Sequence, residues 1–367
     1  MSRNGVYLLL SMIALIAVGI VMIYSASAIY ADQYMKDAAF FLKRQLLYCL
    51  IGGVCCCAAY LIRPGFLERY SRIILLCAIV LLLLLYIPFL SRVASGARRW
   101  LRIFGFNFQP AEFSKIALSI YYADYLKRKI KAIRRGSFLV FLPPLAVLAF
   151  LSILIVLQPD LGSVILLFFI AAILFFVAGI RYRYILGFFS VCMIFFYFAV
   201  IKVPYRLDRI TAYLNPWSDP MGSGFQIIQS FIAFGLGGIH GVGLGASTQK
   251  LFYLPQSYTD FIFAIIAEEA GLIGLSVVIL LYLFLFINGM IISLRQSDLF
   301  KRMLSFALCL LITFQALLNI FVATGLIPTK GLPLPFISFG GSSLIVNMIA
   351  VGIILSIDKS KDYEKRE

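Results

Sequence analysis

Histidine is almost missing from this chain: His240 is its only one. A histidine triad, a two-histidine metal site and a histidine proton relay are therefore excluded or unsupported, and general-base work would fall to a carboxylate. His240 itself sits in a glycine-rich loop and reads as conformational or interfacial. Charge is scarce too. Only 13% of the 367 residues are charged, against about a quarter in a soluble domain. With 62% hydrophobic residues and a mean hydropathy of +1.00, a string of soluble domains is excluded. Acids are the rarer sign, 16 against 32 Lys and Arg, for a net charge of +16. On a soluble protein that excess would suggest nucleic acid; here it reads as cytoplasmic orientation charge, and no nucleic-acid partner is expected. The 7 cysteines fall inside apolar runs without disulfide or metal-ligand spacing and read as small packing residues. No small-residue cleavage site follows the first apolar run, so it reads as an anchor and not a removed signal peptide.

Long apolar runs dominate. They lie near residues 6–28, 44–62, 73–90, 138–157, 162–180, 184–201, 261–294, 303–325 and 339–357, with a weaker one over 109–126. Each approaches the roughly 20 residues a spanning helix needs. The runs are continuous and not alternating, which favours helices over a barrel. The predicted fold is all-α: a polytopic membrane protein of about ten transmembrane helices, forming a single domain over 1–367. The cluster Lys127, Arg128, Lys129, Lys131, Arg134 and Arg135 marks an inner loop, which places both termini in the cytoplasm, with 358–367 as a cytoplasmic tail. A large extracytoplasmic loop, 202–260, then joins helices 7 and 8. It is rich in Gly, Pro and aromatics and reads as folded onto the membrane surface. No convincing internal repeat is present.

The informative residues are the polar ones on the outer side. Arg98, Arg99, Arg102 and Lys330 run against the positive-inside trend, which suggests an anionic ligand, acidic partners or contact with lipid headgroups. Glu112, Asp160 and Asp260 stand at helix N-termini, where a carboxylate also serves as a cap. Capping suits Asp160, between Pro159 and Gly162. Thr259 could cap in place of Asp260, which would leave that carboxylate facing a cavity. Glu112 and Lys115, three apart on one helical face, can pair inside the membrane, as structural glue or as part of a site. Glu268 and Glu269, two turns into the next apolar run, imply a polar interior or a hydrogen-bonded network. The segment 324–343, TGLIPTKGLPLPFISFGGSS, cannot be a continuous helix. Its Ser338, Ser342 and Ser343 either hold an anion before the last helix or belong to a tight connection. An enzyme on the outer side has no ATP and needs an activated substrate. A sugar on a polyprenyl pyrophosphate fits, its lipid in a groove and its pyrophosphate on Arg and Lys.

GARRWL, QPAEFSK, NPWSDPMGSGFQIIQS, GVGLG, QKLFYLPQSYTDFIFAIIAEEAG and GLIPTKGLPLPFISFGGSS, in that order between about residue 5 and residue 357, resemble the SEDS family (shape, elongation, division and sporulation). QKLFYLP and PTKGLPLP are more similar to its division and sporulation members than to its elongation members. The resemblance implies a peptidoglycan glycosyltransferase of the bacterial inner membrane, an inverting hexosyltransferase that polymerises lipid II into β-1,4 strands. It implies septal work beside a class B penicillin-binding protein and other divisome membrane proteins, among membrane lipids. It makes Asp260 the general base toward the acceptor 4-hydroxyl, and it makes Arg99, Trp100, Glu112, Lys115 and Lys330 substrate-binding positions, to which Ser338, Ser342 and Ser343 are added from the glycine-rich turn. Family activity is associated with a divalent cation, Mg2+ or Mn2+. The chain offers no dedicated cage, so such an ion would be shared between pyrophosphate and Asp260. No organic cofactor is implied. The alternatives are a lipid II flippase, an elongation-type polymerase and a catalytically idle scaffold.

Overall fold

Hydrocarbon offers no partner for backbone N–H and C=O groups, so apolar runs of this length satisfy themselves as helices. In the computed structural model the chain is described except at residues 88, 90, 95–96, 104–105, 136–137, 181–183, 185–186, 188–189, 191–192, 195–196, 199–201, 203–210, 223, 252 and 365–367. The first helices are α1 (Arg3–Met35), α2 (Phe40–Leu61), the short α3 (Pro64–Arg69) and α4 (Ser71–Leu84). A small sheet follows, then α5 (Pro110–Arg135), α6 (Leu142–Val156) and α7 (Leu161–Val177). The segment expected as an external loop, 202–260, itself holds a helix, α8 (Phe225–Gly237), and beyond it come α9 (Ile262–Leu294), α10 (Leu299–Ala323) and α11 (Gly341–Glu364). Helices α1, α2, α9, α10 and α11 are long and apolar enough to cross a membrane, and α4, α6, α7 and α8 are shorter apolar helices. The expected span at 184–201 lies for the most part outside the described residues.

The sheet was not anticipated. Strands β1 (Ser91–Ala94), β2 (Ala97–Ile103) and β3 (Phe106–Phe108) pair antiparallel in the order β1-β2-β3. The RRWLR stretch is therefore a strand, with Arg98 and Arg102 exposed and Leu101 buried. That alternation is the period-2 pattern of a half-buried ribbon.

Helix α11 packs against α2, α1 against α9, and α10 against both α5 and α9. Small residues allow the closest approach: a Cβ added at Gly352 of α11 would lie 2.4 Å from the Cys56 carbonyl of α2. The basic cluster 127–135, expected as a loop, is instead the C-terminal end of α5, and there Lys127 ties α5 to α3 through Glu68 and to the N-cap of α10 through Asp298, both at 2.7 Å.

Helix α9 is broken at Gly271, whose φ of 62° and ψ of −162° are non-helical. The turn that follows α8 fills the break. Leu272 N and Ile273 N, deprived of their usual acceptors, donate to Gly238 O (3.0 Å) and Ile239 O (3.2 Å). The abandoned carbonyls of Glu268 and Glu269 accept instead from Val242 N (2.9 Å) and Gly243 N (3.0 Å). These groups freed by the break are thereby satisfied, as irregular backbone at membrane depth requires.

Candidate active site

Asp260 is half-buried, one residue before the N-cap of α9. Its backbone is fixed from two elements. Asn319 Nδ2 of α10 donates to Asp260 O (2.8 Å) and to Leu332 O (2.7 Å). From the 324–340 loop, Ser338 Oγ donates to Thr259 O (2.5 Å) and Phe339 N to Tyr258 O (3.0 Å). The carboxylate lies against Gly331: a Cβ built there would be 3.2 Å from Asp260 Oδ2. Lys330 therefore stands next in sequence to the backbone that Asp260 touches. Burial pushes its ammonium down to about 8 from the ordinary 10.5.

The 332–333 backbone is held by α10 at two levels. One turn below Asn319, Gln315 Nε2 donates to Pro333 O (3.0 Å) and Ser343 Oγ (3.2 Å). Gln315 Oε1 accepts from Lys115 Nζ (3.0 Å), which also bonds Glu112 Oε1 (2.7 Å). Glu112 and Lys115 are 2% and 0% exposed. Their place is inside the bundle, linked to the 330–333 segment through Gln315. Glu112 Oε2 and Asn319 Oδ1 have no hydrogen-bond partner among the described residues, so acceptor capacity is left within this network.

Arg99 acts on a different segment, the α6–α7 turn. Its guanidinium donates to Gln158 O (2.8 Å) and Pro159 O (2.6 Å), fixing the turn between α6 and α7. Half-buried Trp100 follows it on β2. Asp160 caps α7 as expected, accepting from Ser163 N (3.1 Å), and it also receives Gln109 Nε2 (3.1 Å). Gln109 N donates to Ser342 Oγ (2.9 Å), and Ser342 in turn donates to Asn107 O (3.1 Å). The side chain of Leu332 packs on Gly162, in the first turn of α7. Ser338, Ser342 and Ser343 each use their hydroxyls within the protein, so they build the loop that carries Lys330. The geometry brings Asp260, Lys330, Glu112, Lys115 and the three serines into one connected cluster, and Arg99 joins it through the α6–α7 turn.

Sequence reasoning missed Gln315 and Asn319, which join α10 to this loop, and Asn347, which bonds Ser343. The available signal was two amides at i, i+4 within an apolar run, where polar groups are costly. Beside the cluster lies an apolar cleft of about 350 Å³ between α7, α9 and α10, lined among others by Phe169, Phe286, Phe314 and Ile320. Tyr282, also in its wall, donates its hydroxyl to Pro335 O of the loop. Among the described residues no group of three or more His, Cys, Asp or Glu is arranged to hold a metal.

A helical bundle that sets the Asp260 carboxylate against the 330–333 loop, beside an apolar cleft, defines an integral membrane protein. The chain belongs to the FtsW/RodA/SpoVE family of cell cycle proteins, whose sequence profile matches residues 6–363. It is 46% identical over 358 residues to the probable peptidoglycan glycosyltransferase FtsW of Geobacter metallireducens, covering 97% of this chain and 94% of that protein. Stage V sporulation protein E of Bacillus subtilis is 41% identical over 352 residues, covering 95% of each. A chain from a solved peptidoglycan synthase complex, described as coordinating polymerization and crosslinking, superimposes with a TM-score of 0.79 at 26% identity, over 96% of this chain and 97% of that one. The rod shape determining protein RodA of Thermus thermophilus shares the fold, with a TM-score of 0.67 at 24% identity over 96% of each chain.

Proposed function

We propose that this chain is a peptidoglycan glycosyltransferase that polymerises lipid II at the outer face of the bacterial inner membrane. The observation that carries the reading is the Asp260 carboxylate, pinned against Gly331 next to Lys330, beside a cleft apolar enough for a polyprenyl tail. Relatives named as peptidoglycan glycosyltransferases, matched over nearly their whole length, support the same reaction.

In the proposed reaction the acceptor 4-hydroxyl oxygen attacks the anomeric carbon of the donor sugar, and its proton passes to Asp260. The bond from that carbon to the pyrophosphate oxygen breaks, and the electron pair leaves with the diphosphate. Attack opposite the leaving group converts the α-linked donor into a β-1,4 bond. Lys330 neutralises the departing diphosphate, and the enclosed Glu112–Lys115–Gln315 chain keeps its loop in register. A divalent cation shared by Asp260 and the diphosphate would supply further neutralisation when bound. The proposal places Asp260 and 202–260 outside, both termini in the cytoplasm, and the enzyme at the division septum beside a class B penicillin-binding protein.

The test is to supply labelled lipid II to the purified full chain in proteoliposomes, alone and with such a transpeptidase. Glycan polymer that disappears in Asp260→Ala supports the reading. Movement of lipid II between leaflets with no polymer under either condition would replace it with a flippase.

A further inference from the structure

Two buried carboxylates take no direct part in the cluster around Asp260. Glu268 and Glu269 are 0% and 1% exposed, two turns into α9 and just before its break. Among the described residues, the hydrogen bonds to the Glu268 carboxylate come from 247–249. It accepts from Thr248 N (2.7 Å), Gln249 N (3.3 Å) and Thr248 Oγ1 (2.8 Å), and from the Ser247 hydroxyl. Glu269 takes the next residue, receiving Lys250 Nζ (2.8 Å) and the Ser25 hydroxyl of α1 (2.6 Å). Lys250 Nζ also donates to Ser25 Oγ (3.1 Å).

Residues 247–250 open the irregular stretch that ends at Asp260. A turn is closed at its start by Leu254 N to Gln249 O (2.8 Å), and another near its end by Thr259 N to Gln256 O (3.1 Å). Its far end is held by Ser338 and Asn319. We propose that Glu268 and Glu269 are positioning residues for the glycosyl transfer: from inside α9 they grip 247–250 and thereby set where the Asp260 carboxylate stands over the 330–333 loop. This deepens the reading of Asp260 as the base and rests on it.

A merely stabilising role fits the arrangement less well. A buried ion pair is weak evidence for stability, because desolvation offsets most of its attraction. Here Glu268 spends both oxygens on 247–249, and Glu269 ties Lys250 of the same segment to Ser25 of α1, on the stretch that leads directly to the reacting residue. The interleaved turn at Gly271 keeps the backbone carbonyls of the same two residues bonded, so the carboxylates are held at both ends of their own side chains.

Glu268→Gln in the full chain tests this, because an amide nitrogen would face donors where an oxygen now accepts. Lipid II polymerisation in proteoliposomes is measured beside amide hydrogen exchange and thermal unfolding. The expected result is a kcat lower by about 10–100-fold, with KM for lipid II within about two-fold of wild type and an unchanged thermal midpoint. Exchange should quicken through 247–260 and stay unchanged in α10 and α11. The acid limb of the pH profile should keep its position, because Asp260 is still the base. Glu268→Asp, which retains acceptor oxygens, should recover part of the turnover. Wild-type kcat, or loss of activity with faster exchange throughout the molecule, would overturn the proposal. If Glu268→Gln does not fold, Thr248→Val removes one donor from the other side and is read the same way. A wild-type chain that makes no polymer refutes the base assignment alone. The exchange at 247–260 then still decides whether the carboxylates hold the segment, and unchanged exchange there refutes the grip.

Discussion

In the proposed reaction, Lys330 ties neutralisation of the diphosphate to a pH range through one side chain. Its environment strips water from the ammonium and lowers its pKa to about 8. Polymerisation is therefore expected to fall as pH rises through about 8, well before an ordinary lysine at 10.5 would lose its proton. Lys330→Arg should move that basic limb upward, since a guanidinium stays charged; a limb left in place would remove Lys330 from the titration. Stability has the opposite sign. Between these two values the unfolded chain binds the proton and the folded one does not, so this lysine makes folding more favourable as pH rises across the window. Glu112 and Lys115 give a second prediction at the same scale. Lys115→Met strands a buried carboxylate and should cost about 3 kcal/mol in thermal unfolding, whereas Glu112→Leu with Lys115→Met should return close to wild type. Equal losses in the single and double variants would contradict the pairing. Charges such as these were legible because each stands out against hydrocarbon. Gln315 and Asn319 were not, because their partners are carbonyls of residues 332, 333 and 260, which only the folded loop brings to α10.

Among the described residues the long helices follow the apolar runs closely, and the exceptions include a sheet and a helix break of different origin. The β1-β2-β3 sheet escaped because its strands are three to seven residues long and sit between spans that dominate the hydropathy. The break in α9 escaped because 261–294 is continuously apolar, and a lone glycine inside such a run carries little signal. What makes Gly271 necessary is the turn after α8: a Cβ there would lie 2.4 Å from Gly241 N and 2.5 Å from Ile239 O. Gly271→Ala combines that clash with a backbone region that costs on the order of 1–3 kcal/mol for other residues. It is expected to lower the thermal midpoint and to loosen hydrogen exchange at Val242 and Gly243. Gly53→Ala on α2, where an added Cβ meets nothing within 4 Å, should be neutral or slightly stabilising. Similar effects from both substitutions would mean that the interleaved turn does not hold α9.

At the scale of the whole molecule, length and hydropathy made the helical bundle legible, and lysine and arginine placement made its orientation predictable. A reporter fused after Glu364 should report the cytoplasm, and one inserted beside the exposed His240 the outer side. The reverse pattern would turn Asp260 toward ATP and away from the cell wall. The convergence of the α6–α7 turn, α10 and the 324–340 loop around Asp260 was not legible, because it depends on contacts between segments as far apart in sequence as Gly162 and Leu332. That convergence gives the account its central claim, and one rate tests it most directly. Asp260→Asn preserves shape and removes the base, so lipid II polymerisation by the folded variant should fall by about 10²-fold or more. Turnover within a few-fold of wild type would contradict the account.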